Sequence, residues 1–465
     1  MPVDALARRA VAVGAAGAVA TGSRTAAAIG AQALLEGGNA FDAAVAAALA
    51  ETVALPSKCG LAGDVVALFA RPDTAEPQSL IAVGGAAAGL HDTAVARRWD
   101  VPATGPLSVG IPGAPAGYAR LAALGTMPLP RLAAPAMELA RRGIWWSPMN
   151  VLLERESRAL LHTYQPQGCV YSPAGAPHPE GALVTLPGLE DVVQEFSIRG
   201  AALFTGPVGE ALVDTVSRHG GVITAQELAA VEITEEPAHR VHTAAGTVWA
   251  TNAPTFGTTL SRLIAGRHPR DVTPADVQQA LRRGVTAEQS ACAAAEGTST
   301  VAAADASGNA VVIVHSLSFP QYGSGLVVPG YDLVLSNRAG RGFVFAADHP
   351  NAPVPGRRPP TTLHAWGLRR DGGWLLGATP GGNQQVPWNV QVLAGLLAGT
   401  ESAPTAMGQA MCEPRWELGD DGSLRREGHE IDDLAARSAH TLAHAASGWC
   451  AAAADPRWDG AAVAV

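Results

Sequence analysis

The chain has 465 residues, of which 48% are hydrophobic and 16% are charged, a composition typical of a folded globular protein rather than a disordered one. Its formal net charge is −9 at pH 7, and it contains no long run of Lys or Arg. The basic surface expected of a nucleic-acid-binding protein is therefore absent, and nucleic acid is excluded as a partner.

The N-terminal stretch ARRAVAVGAAGAVAT, residues 7–21, allows two interpretations. Two arginines, an apolar run and small residues ending at Ala20 imitate a signal peptide. However, the run lacks Leu and Phe and leads directly into a helical pattern that Ser23 could cap, so a first core strand is an equally good prediction. No segment approaches the roughly 18 to 20 strongly apolar residues of a membrane-spanning helix, so no membrane partner is expected.

Two helices are predicted within residues 25–55. Gly37 and Gly38 break the apolar pattern, and Asn39 is placed to cap the second helix. Further along, a Gly/Pro loop at Gly110–Gly113 leads into another helix. Its glycines lack the GxGxxG spacing of a dinucleotide site, which argues against a nucleotide-binding fold.

Three more helices are predicted before residue 230. They lie at Met127–Gly143, at Val208–His219 and from Thr224, which begins the capped segment TAQELAAV. Between the first two, Tyr164–Gly188 is rich in Pro and Gly, and this composition predicts a surface loop.

The second half of the chain is rich in predicted strands. From Thr300 to Phe345 the pattern indicates hairpins, with one turn at Ser307–Asn309. Residues 372–397, GGWLLGATPGGNQQVPWNVQVLAGLL, predict a strand, a glycine turn and a helix. Helices followed by strands indicate helical layers stacked on antiparallel sheets rather than a doubly wound parallel sheet.

The spacing of cysteines and histidines predicts no metal site. The five cysteines are scattered, odd in number and free of a CxxC pair, which favours a reducing compartment and argues against a disulfide framework. His440 and His444 look like an i, i+4 pair on a helix, but the segment HTLAH lacks the Glu of an HExxH motif. Such a pair is usually an ordinary helix face.

Seven motifs follow one another along almost the entire chain: GGNAFDAAVAAALA (37–50), SVGIPGAPAG (108–117), GGVITAQELA (220–229), GTSTVAAADASGNAV (297–311), YGSGLVVPG (322–330), PGGNQQ (380–385) and ADPRWDGAA (454–462). In this order they resemble the gamma-glutamyltransferase family of N-terminal nucleophile hydrolases. The resemblance implies an α+β fold of four layers, αββα, with two antiparallel sheets between helical layers. It also implies a precursor that cuts itself into a helix-rich large chain, residues 1–297, and a small chain, residues 298–465, which together form one domain.

The family pattern assigns the nucleophile to Thr298. In that pattern the nucleophilic Thr stands seven residues before the Asp of a D-x-x-G-N-A-V turn, which here is Asp305, so the cut is expected between Gly297 and Thr298. A small residue before the cut lets the hydroxyl approach the preceding carbonyl. The released α-amine, with a pKa of about 7.7 to 8, can then serve as the base. Ser299 and Thr300 are rival cut sites whose ordinary role is strand pairing.

The resemblance assigns five further residues to the reaction and the donor pocket. Ser316 stands where the family usually has a second Thr whose hydroxyl supports the nucleophile. Gly381 and Gly382 match the glycine pair whose N–H groups form an oxyanion hole, although the pair could also be a simple tight turn. The neighbouring Thr361 and Thr362 stand where paired serines commonly line the donor pocket, although both could be purely structural.

Two segments depart from the glutamyl-transferring members of the family. The Arg of R-E-T-A-P is replaced by VGGAAAG (83–89), and NNQMDDF is replaced by SNRAGRGF (336–343). Arg338 and Arg341 would repel a glutamyl α-ammonium and attract an anionic group, so we assign both, together with Ser318, to substrate binding. Alternatively, the arginines face solvent or pair with acidic neighbours.

These residues predict a hydrolase that cleaves an amide-type bond of a small anionic substrate through an acyl-Thr298 intermediate, as in the amidohydrolase-like branch of the family. The alternatives are a C–C bond hydrolase of a natural-product pathway, a γ-glutamyl transferase or hydrolase with a rebuilt pocket, and a pseudoenzyme that binds a ligand without processing. No cofactor is implied. The expected partners are the substrate and the two chains of one precursor, with dimerisation left open. Because the family's core begins within about the first 20 residues, the expected location is the cytoplasm.

Overall fold

The computed structural model describes residues 7–97, 102–284, 297–344, 349–419, 421–428 and 436–465. The helices are α1 Arg24–Leu35, α2 Ala40–Ala54, α3 Ala88–Arg97, α4 Ala114–Ala122, α5 Leu129–Arg142, α6 Pro148–Glu156, α7 Arg158–Tyr164, α8 Pro187–Arg199, α9 Pro207–Arg218, α10 Ala225–Ala229, α11 Gly257–Ile264, α12 Pro274–Gly284, α13 Arg338–Gly342, α14 Gln385–Leu396 and α15 Ala403–Cys412.

The strands are β1 Val11–Gly14, β2 Gly17–Thr21, β3 Asp64–Ala70, β4 Gln78–Ala82, β5 Ile144–Trp145, β6 Leu183–Val184, β7 Thr234–Pro237, β8 His239–Thr243, β9 Gly246–Ala250, β10 Thr298–Asp305, β11 Ala310–Ser316, β12 Val327–Val328, β13 Leu333–Val334, β14 Trp366–Arg370, β15 Gly373–Ala378, β16 Trp416–Leu418, β17 Leu424–Arg426, β18 Thr441–Ala446, β19 Trp449–Ala454 and β20 Ala461–Ala464. Short 3₁₀ turns lie at Pro106–Ser108, Pro173–Gly175, Gly200–Thr205, Pro269–Asp271 and Gly382–Gln384.

Two seven-stranded sheets dominate the fold. The first has the order β1-β19-β18-β15-β14-β9-β8, and the second has the order β20-β2-β10-β11-β3-β4-β7. Neighbouring strands in both sheets are antiparallel. Both sheets combine strands from the two sides of residue 297, so the proposed large and small chains would share both sheets.

Alternation of side chains along β10 and β11 builds the layers. Ala302 and Val312 lie in the core between the two sheets, whereas Val301 and Ile313 point to the opposite face and pack in the core that includes α2. On the outside of the other sheet, α11 and α15 contact its strands. The expected four-layer αββα architecture is therefore confirmed.

The N-terminal predictions are largely confirmed. Residues 11–21 contribute strands β1 and β2, as the strand interpretation required. Asn39 caps α2 in a capping box with Asp42. Ser23 occupies the N-cap position of α1, but its side chain makes no capping hydrogen bond.

Three local predictions were wrong. His440 directly precedes strand β18 and His444 lies within it, so the pair is not on a helix. The segment Tyr164–Gly188 is not all surface, because Tyr171 is fully buried and its hydroxyl donates to the Asp332 carbonyl. Beyond β11, most of the segment expected to form hairpins is loop, with only the short β12–β13 pair described there. No described helix is long and apolar enough to cross a bilayer.

Candidate active site

Strand register brings three polar side chains together at one end of the second sheet. Thr298 is paired with Ser316, and Ser316 is paired with Asp64 at the start of β3. Residues directly opposite each other on adjacent strands share a face. All three side chains are buried. Thr298 and Ser316, the predicted nucleophile and its supporting hydroxyl, are thus brought into contact.

A hydrogen-bond chain runs through Ser316 to the expected scissile bond. Ser316 Oγ donates to the Gly297 carbonyl oxygen at 2.6 Å, and Thr298 Oγ1 lies 2.9 Å from Ser316 Oγ. Because a serine hydroxyl has one proton, Thr298 must donate to Ser316. The Ser318 amide also donates to Ser316 Oγ, at 2.8 Å. The Ser316 hydroxyl therefore polarises the Gly297 carbonyl and holds the Thr298 hydroxyl next to it.

Close backbone packing explains the glycine before the cut. A Cβ at Gly297 would stand only 1.6 Å from the Ser318 carbonyl oxygen. Ser318 itself has φ 72°, a left-handed conformation that few residues other than glycine adopt. The Ser318 loop thus presses against Gly297, which leaves no room for a side chain. The assignment of Ser318 to substrate binding remains a prediction.

Gly381 and Gly382 form a turn whose backbone conformation and close packing favour glycine. Gly381 and Gly382 have φ 125° and 54°, and a Cβ on Gly381 would stand 2.2 Å from the Trp388 ring. The Ala439 amide donates to Thr379 Oγ1, just before this turn, and the Ala439 carbonyl accepts from the Thr300 hydroxyl. The turn is therefore tied to the beginning of β10.

The predicted donor-pocket threonines lie beside the same turn. The side-chain amide of Gln385, the first residue of α14, lies 3.3 Å from Thr362 Oγ1. In the amide orientation that satisfies both of its ends, the Gln385 nitrogen donates to the Thr379 and Thr362 carbonyls, at 3.1 and 3.2 Å. The Thr362 carbonyl also contacts His364 Nδ1 at 2.8 Å, and burial lowers the pKa of His364 to about 4, so this imidazole is neutral. Thr361 is buried and its hydroxyl accepts from the Leu363 amide. Thr362 is thus the member of the pair that the structure ties to the glycine turn.

The two arginines have different surroundings. Arg338 is buried and its Nε donates to Asp64 Oδ2 at 2.6 Å, so it pairs with an acidic neighbour. Arg338 Nη2 is also buried, and it has no hydrogen-bond partner among the residues that the structure describes. Burial raises the pKa of Asp64, and the Arg338 guanidinium opposes that rise. Arg341 instead donates to the Phe319 carbonyl and lies 4.6 Å from the Phe319 ring centroid.

Sequence reasoning missed Asp64, which pairs with Arg338 and stands opposite Ser316 on the neighbouring strand. The available signal was a lone carboxylate directly before the apolar run VVALFA, a pattern that places a charge at a strand end. The partner arginine is 274 residues away in the sequence, so no local pattern joins the two.

The chain is similar to several known proteins. The gamma-glutamyltranspeptidase family model matches residues 26–294 and 268–465. The oxamate amidohydrolase proenzyme of Klebsiella pneumoniae subsp. pneumoniae is 25% identical over 511 residues, covering 92% of this chain and 94% of that protein. Glutathione hydrolase 2 of Arabidopsis thaliana is 31% identical over 217 residues, covering 46% of this chain and only 37% of that relative.

A solved structure has the same fold. The cephalosporin acylase from Bacillus halodurans matches with a TM-score of 0.85 and 22% identity, over 98% of this chain and 97% of that one. At this identity the match concerns the fold alone. The family model, in contrast, accounts for nearly all of the chain, including both sides of the Gly297–Thr298 bond. The chain therefore belongs to the gamma-glutamyltranspeptidase family.

Proposed function

We propose that this protein is a self-processing hydrolase whose nucleophile is Thr298. The observation that carries the proposal is the hydrogen-bond chain from Thr298 through Ser316 to the Gly297 carbonyl. Both the attacking hydroxyl and the polarised carbonyl hydrogen-bond to Ser316, which holds them close together, as an intramolecular acyl transfer requires. Relatives that are proenzymes support the same view.

In the first stage the Thr298 hydroxyl oxygen attacks the Gly297 carbonyl carbon. The hydroxyl proton passes toward Ser316, and the C–N bond breaks as the Thr298 nitrogen takes up a proton, which leaves an ester between Gly297 and Thr298. Water then hydrolyses this ester. The products are a large chain, 1–297, with a Gly297 carboxylate and a small chain, 298–465, with a free Thr298 α-amine.

In the second stage the mature N-terminus acts on a substrate. The α-amine accepts the hydroxyl proton of Thr298 as the hydroxyl oxygen attacks an amide carbon. The backbone N–H groups of Gly381 and Gly382 stabilise the negative charge that develops on the carbonyl oxygen. The leaving amine departs with a proton, and water releases the acyl group from Thr298.

We further propose that Arg338 selects an anionic substrate. Its Nη2 is a buried donor without a partner among the described residues. Its Nε is held by Asp64, which stands opposite Ser316 on the neighbouring strand. A relative that aligns along nearly the whole chain is named for oxamate, an amide with a carboxylate next to it. The free thiols of Cys59, Cys169 and Cys450 suit a reducing compartment, and we propose the cytoplasm.

Intact mass of the purified protein tests the self-processing claim. Two fragments are expected, one ending at Gly297 and one beginning at Thr298. Release of ammonia from oxamate by the cleaved protein would then support the amidase activity. A chain that stays intact after prolonged incubation would contradict the proposal and favour a binding protein of the same fold.

Arg338→Lys tests the proposed recognition of an anion. Lysine retains a positive charge for Asp64 but lacks the second nitrogen of the guanidinium. We expect normal self-cleavage and a fall of about 10- to 100-fold in kcat/KM for oxamate, as for the loss of a charged hydrogen bond. Activity on oxamide, its neutral counterpart, should change little.

The matched control for this test is Arg341→Lys. The sequence assigned Arg341 to substrate binding as well, but it donates to the Phe319 carbonyl rather than to Asp64. We therefore propose that Arg338 alone selects the anion, and this variant should leave the oxamate-to-oxamide preference near that of the wild type. An unchanged preference in Arg338→Lys would show that Arg338 does not bind the substrate anion.

A further inference from the structure

A second polar cluster lies on the other face of the catalytic strands. Ser299 and His315 are paired across β10 and β11, one residue away from the Thr298–Ser316 pair and therefore on the opposite face. There the Tyr118 hydroxyl lies 2.6 Å from His315 Nδ1, and His315 Nε2 lies 2.7 Å from Glu51 Oε2. Tyr118, His315 and Glu51 are all 0% exposed.

The protons in this chain can be placed from the contacts. Burial raises the pKa of Tyr118 well above its usual range, so the phenol keeps its proton and donates to His315 Nδ1. The other nitrogen, Nε2, then carries the ring proton and donates to Glu51. Two hydrogen bonds therefore connect α4, β11 and α2.

This cluster is costly for the stability of the fold. Glu51 Oε1 is buried and has no hydrogen-bond partner among the residues described. An unsatisfied buried carboxylate oxygen costs free energy, and apolar side chains of similar volume would fill the layer between the sheet and α2 more cheaply. Stability therefore does not explain why three polar side chains occupy this position.

A metal site is the first rival explanation. Cys59 is close to Glu51 and His315, and their potential ligand atoms all lie within 4.8 Å of one another. However, both ring nitrogens of His315 already make hydrogen bonds, and burial raises the pKa of the Cys59 thiol well above its usual value. The His315 nitrogens are thus occupied by hydrogen bonds and the Cys59 thiol stays protonated, so neither group is available to bind a metal ion.

We propose that Tyr118, His315 and Glu51 form a positioning network for the self-cleavage reaction, an inference that rests on Thr298 being the nucleophile. His315 directly precedes Ser316, whose hydroxyl must reach both Thr298 and the Gly297 carbonyl. Anchoring His315 to two helices fixes the end of β11 and hence the Ser316 hydroxyl. Displacement of a catalytic group by about 1 Å can slow a reaction by about 100-fold, so such anchoring has a large effect.

Tyr118→Phe tests the network, and Tyr171→Phe is its matched control. Both tyrosines are fully buried and both hydroxyls make one short hydrogen bond, but the hydroxyl of Tyr171 bonds to the Asp332 carbonyl instead of His315. Cell-free translation stopped at intervals would give the rate of appearance of the 298–465 fragment. We expect Tyr118→Phe to slow cleavage by about 10-fold or more, and Tyr171→Phe to leave the rate within about two-fold of the wild type.

A pair of substitutions at His315 separates positioning from general destabilisation. Gln can both donate to Glu51 and accept from Tyr118, whereas Met cannot donate and is only a weak acceptor. We expect cleavage in His315→Gln to be much closer to the wild-type rate than in His315→Met, at a temperature where circular dichroism shows both variants folded.

The outcomes separate this inference from the proposed function. A wild-type chain that is never cut would contradict both the proposed function and the positioning network. The wild type could instead be cut between Gly297 and Thr298 while the two tyrosine variants, or the two His315 variants, are cut at equal rates. This result would contradict only the positioning network. One zinc ion per chain in the wild type, lost in His315→Met by metal analysis, would also overturn it in favour of a metal site.

Discussion

Thr298→Ala is expected to remain a single chain of 465 residues with no hydrolase activity. The alanine lacks the hydroxyl that lies 2.9 Å from Ser316 Oγ, so the variant has lost the proposed nucleophile for the Gly297 carbonyl. Without cleavage no α-amine is released, so the variant lacks the proposed nucleophile and the proposed base together. Denaturing electrophoresis and intact mass would show one band where the wild type shows two.

The rival cut sites provide the controls for this variant. Ser299→Ala and Thr300→Ala should still give fragments that end at Gly297 and begin at Thr298, because neither side chain hydrogen-bonds to Ser316 Oγ. Thr298→Ser, which retains a hydroxyl, should cut more slowly than the wild type but at the same bond. A Thr298→Ala protein that still cuts, or a fragment beginning at residue 299 or 300, would contradict the assignment.

Gly297→Ala is expected to block cleavage even though Thr298 is unchanged. The new methyl group would stand 1.6 Å from the Ser318 carbonyl oxygen, a distance that forces the backbone of one or both residues to move. Either movement takes the scissile carbonyl away from the Ser316 hydroxyl that polarises it. Because misplacement by about 1 Å can cost about 100-fold in rate, the variant should remain essentially uncut while the wild type completes the reaction.

Gly60→Ala is a suitable control for this substitution. A Cβ on Gly60 would meet only the Leu317 side chain, at 3.5 Å, which is an ordinary contact close to the same strand end. This variant should cut like the wild type. Cleavage of Gly297→Ala at the wild-type rate would show that the Ser318 loop can move aside without slowing the reaction. Close packing would then not be the reason for glycine at this position.

Local sequence was sufficient where a short-range contact determines the structure. Asn39 caps α2 through its own side chain, so the break at Gly37 and Gly38 could be recognised from neighbouring residues. The turn between β10 and β11 is likewise local, since Asp305 Oδ1 accepts from the Ser307 and Asn309 amides. This turn sets the register from which Thr298 was assigned.

Local sequence failed where burial by distant elements decided the outcome. The segment around His440 and His444 is rich in small residues and suits a helix as well as a strand. It became β18 because it pairs with β15 and β19 inside a sheet. Tyr171 lies in a Pro- and Gly-rich segment, yet packing against Tyr322 and a hydrogen bond to Asp332 bury it.

The sequence by itself determined the family motifs, the capped helices and the position of Thr298 relative to Asp305, because each depends on residues close together in the chain. Only the tertiary structure decided that Thr298, Ser316 and Asp64 stand side by side, that Arg338 pairs with Asp64, and that His315 is anchored by Glu51 and Tyr118. Strand register follows from which alternate residues fill the core between the sheets. That packing is a property of the assembled layers, so a local pattern does not contain it.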